Sequence, residues 1–154
     1  MKRTGTAIIL STALALLGCG GGTSNVALKG NWTAVLYNPD GTRALALTAT
    51  LAQSGSTVNV TNLSFVPSSS CFAEGTTATG VFTPNYTTHG VTSGPFQMTL
   101  QSGPSNVNGM NTLSLQGTFL RNVISGTWTV TGTGLDCTGG ENLTSGVSFV
   151  MTQM

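Results

Sequence analysis

Residues 113–131 read LSLQGTFLRNVISGTWTVT. Leu113, Leu115 and Phe119 fall on one alternating phase, Arg121-Asn122 interrupts, and Ile124, Trp128 and Val130 share a face of the next run. A period of two sends one side of an extended strand into a core and the other into water. Two such runs joined by a two-residue polar link are expected to form an antiparallel hairpin, and Asn tolerates the positive φ that a tight turn demands.

The same grammar extends in both directions. Asn31 to Tyr37 is a strand ended by Asn38-Pro39-Asp40-Gly41, where Pro presets φ and Gly supplies a positive one. Arg43 to Ala52 follows, with Leu45, Leu47, Ala49 and Leu51 on one face, and Gly55 turns the chain into Thr57 to Val66. Val58 and Val60 hold one phase while Leu63 and Phe65 take the other, so a bulge is expected near Thr61 or Asn62. Pro67 to Gly75 reads as a loop carrying Cys71, Thr76 to Thr83 as a weak strand, and Pro84 to Gly94 as a long loop. Phe96, Met98 and Leu100 alternate on a further strand. After the hairpin quoted above, Gly132 to Asn142 is a Gly-rich loop holding Cys137, and Val147, Phe149 and Met151 mark the last strand. Eight strands in simple succession predict an all-β domain, an eight-stranded antiparallel up-and-down barrel in which closure removes exposed edges. A two-sheet β-sandwich has the same periodicity and is the alternative. Thr50-Leu51-Ala52-Gln53-Ser54-Gly55 echoes Thr99-Leu100-Gln101-Ser102-Gly103, but two matching hairpins do not make a repeat array.

Composition limits the functions open to this chain. Only 6% of its 154 residues are charged. Beyond residue 18 the charges are Lys29, Arg43 and Arg121 against Asp40, Glu74, Asp136 and Glu141, too few to form a nucleic-acid footprint. No later stretch approaches the ~18 consecutive apolar residues of a spanning helix. Polarity comes instead from Thr, Ser, Asn and Gly, which suit pleated surfaces and turns. Regularly spaced Leu, Val, Phe and Trp argue for a folded domain over a disordered one.

The amino-terminal segment says where the protein goes. Lys2 and Arg3 form a basic start, Ala7 to Leu17 an apolar core, and Leu16-Leu17-Gly18 leads into Cys19. This layout resembles the lipobox of bacterial lipoproteins: an aliphatic residue, a variable position, a small residue and an obligatory Cys. The resemblance implies removal of a signal peptide, residues 1–18, and acylation of Cys19, with palmitate-type chains anchoring the protein to a membrane. In lipoproteins resembling this one, a residue other than Asp after the Cys, here Gly20, implies sorting to the outer membrane, on its periplasmic or surface face. The expected organisation is signal peptide 1–18, a Gly/Ser/Thr-rich lipidated tether 19–28 and one domain, 29–154.

Chemistry-bearing residues are sparse. His89 is the only histidine, in a loop sequence, and no G-x-S-x-G elbow surrounds any Ser, so a hydrolytic triad has no basis. Asp40 belongs to a turn. Glu74, Asp136 and Glu141 fall in the two Cys-bearing loops, where they read as solvated acids; a Ca²⁺ site there would carry no loop signature. Cys71 and Cys137 lack C-x-x-C spacing for a metal. With Cys19 taken by lipid and the compartment oxidising, a Cys71–Cys137 disulfide is expected. No enzymatic activity, metal or cofactor is expected.

Trp32 and Trp128 are the remaining binding candidates. Gly30-x-Trp32 at the head of the first strand resembles the G-x-W that opens lipocalins, and Gly126-x-Trp128 resembles avidin-like barrels, in which Trp residues line a ligand pocket. The lipocalin pattern also places a late basic residue on its first Trp, and no Lys or Arg follows Arg121. Both Trp are expected to fill the core of a small barrel. If a cavity exists instead, Trp32, Trp128, Phe96 and Phe149 would line it. The expected role is a non-enzymatic structural or interaction domain of the cell envelope, held to the membrane by its lipid, with an envelope protein as a conceivable partner. The alternative is a carrier of a small apolar ligand.

Overall fold

The computed structural model describes residues 28–66, 71–72, 75–87, 90–103, 110–132, 136–137, 141–142 and 147–154. In chain order the strands are β1 (Lys29–Tyr37), β2 (Arg43–Ser54), β3 (Thr57–Phe65), β4 (Thr77–Phe82), β5 (Asn85–Thr87) and β6 (Gly90–Gln101). They continue with β7 (Asn111–Leu120), β8 (Val123–Gly132), β9 (Asp136–Cys137), β10 (Glu141–Asn142) and β11 (Val147–Gln153). The main sheet runs β4-β3-β2-β1-β11-β8-β7-β6, and β4 pairs antiparallel with β6. That last pairing closes an eight-stranded up-and-down barrel and leaves it without a free edge. A sandwich is thereby excluded, because no seam separates two sheets.

Local chemistry sets the turns. Arg121 and Asn122 sit at φ 50° and 66°, the paired positive values of a two-residue hairpin turn. In the first turn Gly41 adopts φ 82° and donates its N–H to Asn38 O at 2.9 Å. Between β2 and β3 the register jumps from Thr50↔Thr61 to Thr48↔Ser64, with Asn62 at φ 50°. This is the bulge that the phase change between Val60 and Leu63 demanded.

Two short pairings depart from the expected loops. Residues 84–94, read as a loop, contain β5 and the first residues of β6, paired through Asn85↔Ser93 and Tyr86↔Val91. Asn85 and Tyr86 are exposed, and the sequence of β5 carries no period-two signal. The strands β9 and β10, two residues each, pair within the connection that leads to β11.

The inward faces form one core. Trp32, Ala34 and Leu36 on β1, Leu47 and Leu51 on β2, Met98 and Leu100 on β6, and Met151 on β11 are all buried within it. Leu28 is also fully buried, with its carbonyl accepting from Gln53 N–H at 2.9 Å, so this residue, expected in the tether, belongs to the packed body. The end where β1 starts is called here the tether end. The opposite end receives the β1–β2 turn and the β3–β4, β6–β7 and β8–β11 connections.

Candidate functional site

The interior is where a small barrel would hold a ligand. All four expected lining residues point into it: Trp32 and Phe149 are 0% exposed, and Phe96 and Trp128 are 1% exposed. They do not surround one point. Phe96 and Phe149 share a cross-strand row, Phe96↔Gly117↔Gly126↔Phe149, in which two facing glycines separate the rings. A Cβ added at Gly126 would fall on Gln116 O, and one at Gly117 would lie 3.1 Å from Phe149 Cζ. The wall has room for the rings because these two residues carry no side chains.

The two Trp lie at opposite ends. Trp32 pairs with Gln153 on β11, and Thr152, one residue earlier, pairs with Val123 on β8. The row of Trp32 therefore reaches β8 near Asn122, six positions before Trp128, or about 20 Å along the strand.

At the tether end Trp32 meets Phe119 edge-on at 6.3 Å, and Phe119 meets Phe82 edge-on at 5.5 Å. These contacts run from β1 to β7 to β4, strands that are not neighbours in the sheet, and so cross the interior. Among the described residues the buried Trp32 indole N–H has no acceptor, an arrangement that costs about 1–3 kcal/mol. Trp128 differs: its Nε1 donates to Tyr37 O at 3.0 Å.

At the far end two residues of the connection after β3 enter the core. Cys71 and Phe72 are buried there, and Phe72 stacks on Phe65 with ring centroids 5.4 Å apart. Asn111 Nδ2 donates to Cys71 O at 3.2 Å, and Asn111 N donates to Ser102 Oγ at 2.7 Å. Both Asn111 and Ser102 are buried. None of Phe72, Asn111 and Ser102 stood out in the sequence. An apolar Cys-Phe pair inside a Ser-rich loop was the available signal for Phe72; Asn111 and Ser102 had none.

Outside the wall, an open cleft of about 290 Å³ lies at the bulge, lined by Asn31, Thr48, Ala49, Thr50, Asn62 and Met154. Asn62 Nδ2 donates to Thr50 Oγ1 at 3.2 Å, and the Thr50 hydroxyl donates to Asn31 Oδ1 at 2.8 Å. These groups satisfy one another and pin the bulge.

His89, Glu74 and Cys19 lie outside the described residues, as do the side chains of Asp136, Cys137 and Glu141. Among the described residues no three His, Cys, Asp or Glu side chains gather where a metal could bind. The chain matches no protein-family model, no curated protein and no solved structure. The small antiparallel barrel is consistent with a lipocalin- or avidin-like body.

Proposed function

We propose that this protein is a non-enzymatic domain of the bacterial cell envelope, anchored to the outer membrane through acylated Cys19, with a structural or protein-interaction role. The observation that carries the non-carrier part is the ring-to-ring contact Trp32–Phe119–Phe82, which spans the interior with the protein's own side chains. The anchoring part rests on Leu16-Leu17-Gly18-Cys19. Mass spectrometry of the exported protein tests it. The expected result is a chain beginning at acylated Cys19; an unmodified Cys19, or a chain starting elsewhere, would refute it.

The same reading joins Cys71 to Cys137. Support comes first from the count: besides Cys19, assigned to lipid, the chain holds only Cys71 and Cys137. It comes next from topology. Asn111, which holds Cys71 O, pairs with Gly132, where the chain leaves β8 toward Cys137.

A second reading, a carrier of a small apolar ligand, draws on one observation: the buried indole N–H of Trp32, which has no acceptor among the described residues. A ligand with one acceptor would satisfy it. A saturable shift in Trp fluorescence on adding an apolar ligand, lost in Trp32→Phe, would favour the carrier.

A further inference from the structure

The few charges of this chain are sorted by barrel end. Asp40 lies in the β1–β2 turn, Glu74 belongs by sequence to the β3–β4 connection, and Asp136 and Glu141 lie in the β8–β11 connection. Asp40, Asp136 and Glu141, the acidic positions among the described residues, thus fall in connections that leave strands at the end far from the tether. Arg43 is the cation at that end, with its Nη2 donating to Val66 O at 2.7 Å. At the tether end stand Lys29, which opens β1, and Arg121, at the tip of the β7–β8 turn. Both are exposed, and neither has an ionic partner among the described residues. Among the described side chains, unpaired positive charge therefore gathers at the end where β1 starts.

Chain length ties that positive end to a surface. Eight residues separate Cys19 from Leu28, which is locked into the core. Even fully extended, that segment spans only about 30 Å. If Cys19 carries the lipid, the tether end cannot stray far from the bilayer. Exposed apolar side chains occur at both ends, Leu120 and Tyr86 at the tether end and Met110 and Val66 at the other, so they do not select a face. Charge does. An anionic headgroup layer attracts Lys and Arg within a Debye length, about 8 Å at physiological salt, and repels carboxylates.

We infer that the end bearing Lys29, Arg121, Leu120 and Tyr86 docks against an anionic bilayer surface, and that the acidic, Cys71-capped end projects away from the membrane. This inference rests on the lipid anchor of the preceding section.

The test uses the lipidated, full mature protein on vesicles containing phosphatidylglycerol. Nitroxide labels are placed singly at Leu120→Cys, Tyr86→Cys and Met110→Cys. Accessibility to oxygen relative to a water-soluble nickel complex should rise several-fold at positions 120 and 86 and stay at its solution value at 110. The rise should shrink in Lys29→Glu/Arg121→Glu and on vesicles of phosphatidylcholine alone. Equal responses at 120 and 110, or a rise that ignores both charge changes, would overturn the docking orientation. Vesicle flotation and the mass of Cys19 separate the two failures. A protein that neither floats nor carries acyl chains ends the anchoring reading and this inference with it, whereas an acylated, floating protein with position 120 in water ends the orientation alone.

Discussion

The indole N–H of Trp128 donates to the carbonyl oxygen of Tyr37 across 3.0 Å, joining β8 to the end of β1 over the intervening β11. One side chain thus fills the barrel with its ring and ties two non-adjacent strands with its nitrogen.

Trp128→Phe should keep most of the packing, lose this bond and cost about 1–2 kcal/mol. Trp128→Ala should cost about 3–5 kcal/mol, the range for truncating a buried aromatic. Urea denaturation followed by circular dichroism measures both. A loss below about 1 kcal/mol in Trp128→Ala would show that the ring is not part of a packed interior.

Gly126→Ala should be among the most damaging small substitutions, because the added methyl would collide with the backbone at Gln116 O and Gly117 Cα. We expect a loss of about 3 kcal/mol or more, or failure to fold. Gly41→Ala meets nothing within 4 Å but sits at φ 82°. It should cost only about 1–2 kcal/mol, the strain of a left-handed residue. Equal effects at the two sites would contradict the close approach of β7 and β8.

Cys71→Ser should destabilise the domain by about 2–5 kcal/mol, and the oxidised wild-type protein should take up no alkylating reagent at Cys71 or Cys137. Free labelling of both thiols under native export would reject the bridge.

Asp40 Oδ1 accepts the hydroxyl of Thr42 at 2.6 Å and its backbone N–H at 2.9 Å. These bonds, the hydroxyl foremost, hold the carboxyl below its ordinary 3.8. Because the folded value is the lower one, the contribution is fully present above the unfolded value and fades as pH falls through the folded one. Asp40→Asn should therefore lower Tm slightly near neutrality and make no difference in acid, where the wild-type carboxyl is protonated too. A difference that widens as pH falls would contradict this assignment.

The strands were legible in the sequence wherever one face is buried against the core and the other meets water. Leu113, Leu115 and Phe119, like Phe96, Met98 and Leu100, announce themselves by alternation alone. Asn62 was legible for the same reason, since a bulge is the cheapest way to switch phase within one strand. The barrel was expected from eight strands in simple succession and is what the fold shows, although the pairing of β4 with β6 that closes it leaves no periodic mark in either strand. What escaped detection is non-local. The separation of Trp32 from Trp128 is a sum of registers over several strands, so two residues with matching G-x-W contexts looked like one site. The capping role of Phe72 was hidden because a single ring buried in a loop has no period. The β5 hairpin was hidden because Asn85, Tyr86 and Thr87 show no apolar alternation.

A non-carrier role requires a barrel interior already occupied by the protein's own side chains. The most direct measurement is a thermal-shift titration of the folded domain with anilinonaphthalene sulfonate and long-chain fatty acids, with dye emission recorded alongside. A filled interior predicts no saturable rise in emission and no change in Tm. A saturable signal accompanied by stabilisation of about 2–3 kcal/mol at a hundredfold excess over Kd would contradict it and make this barrel a carrier.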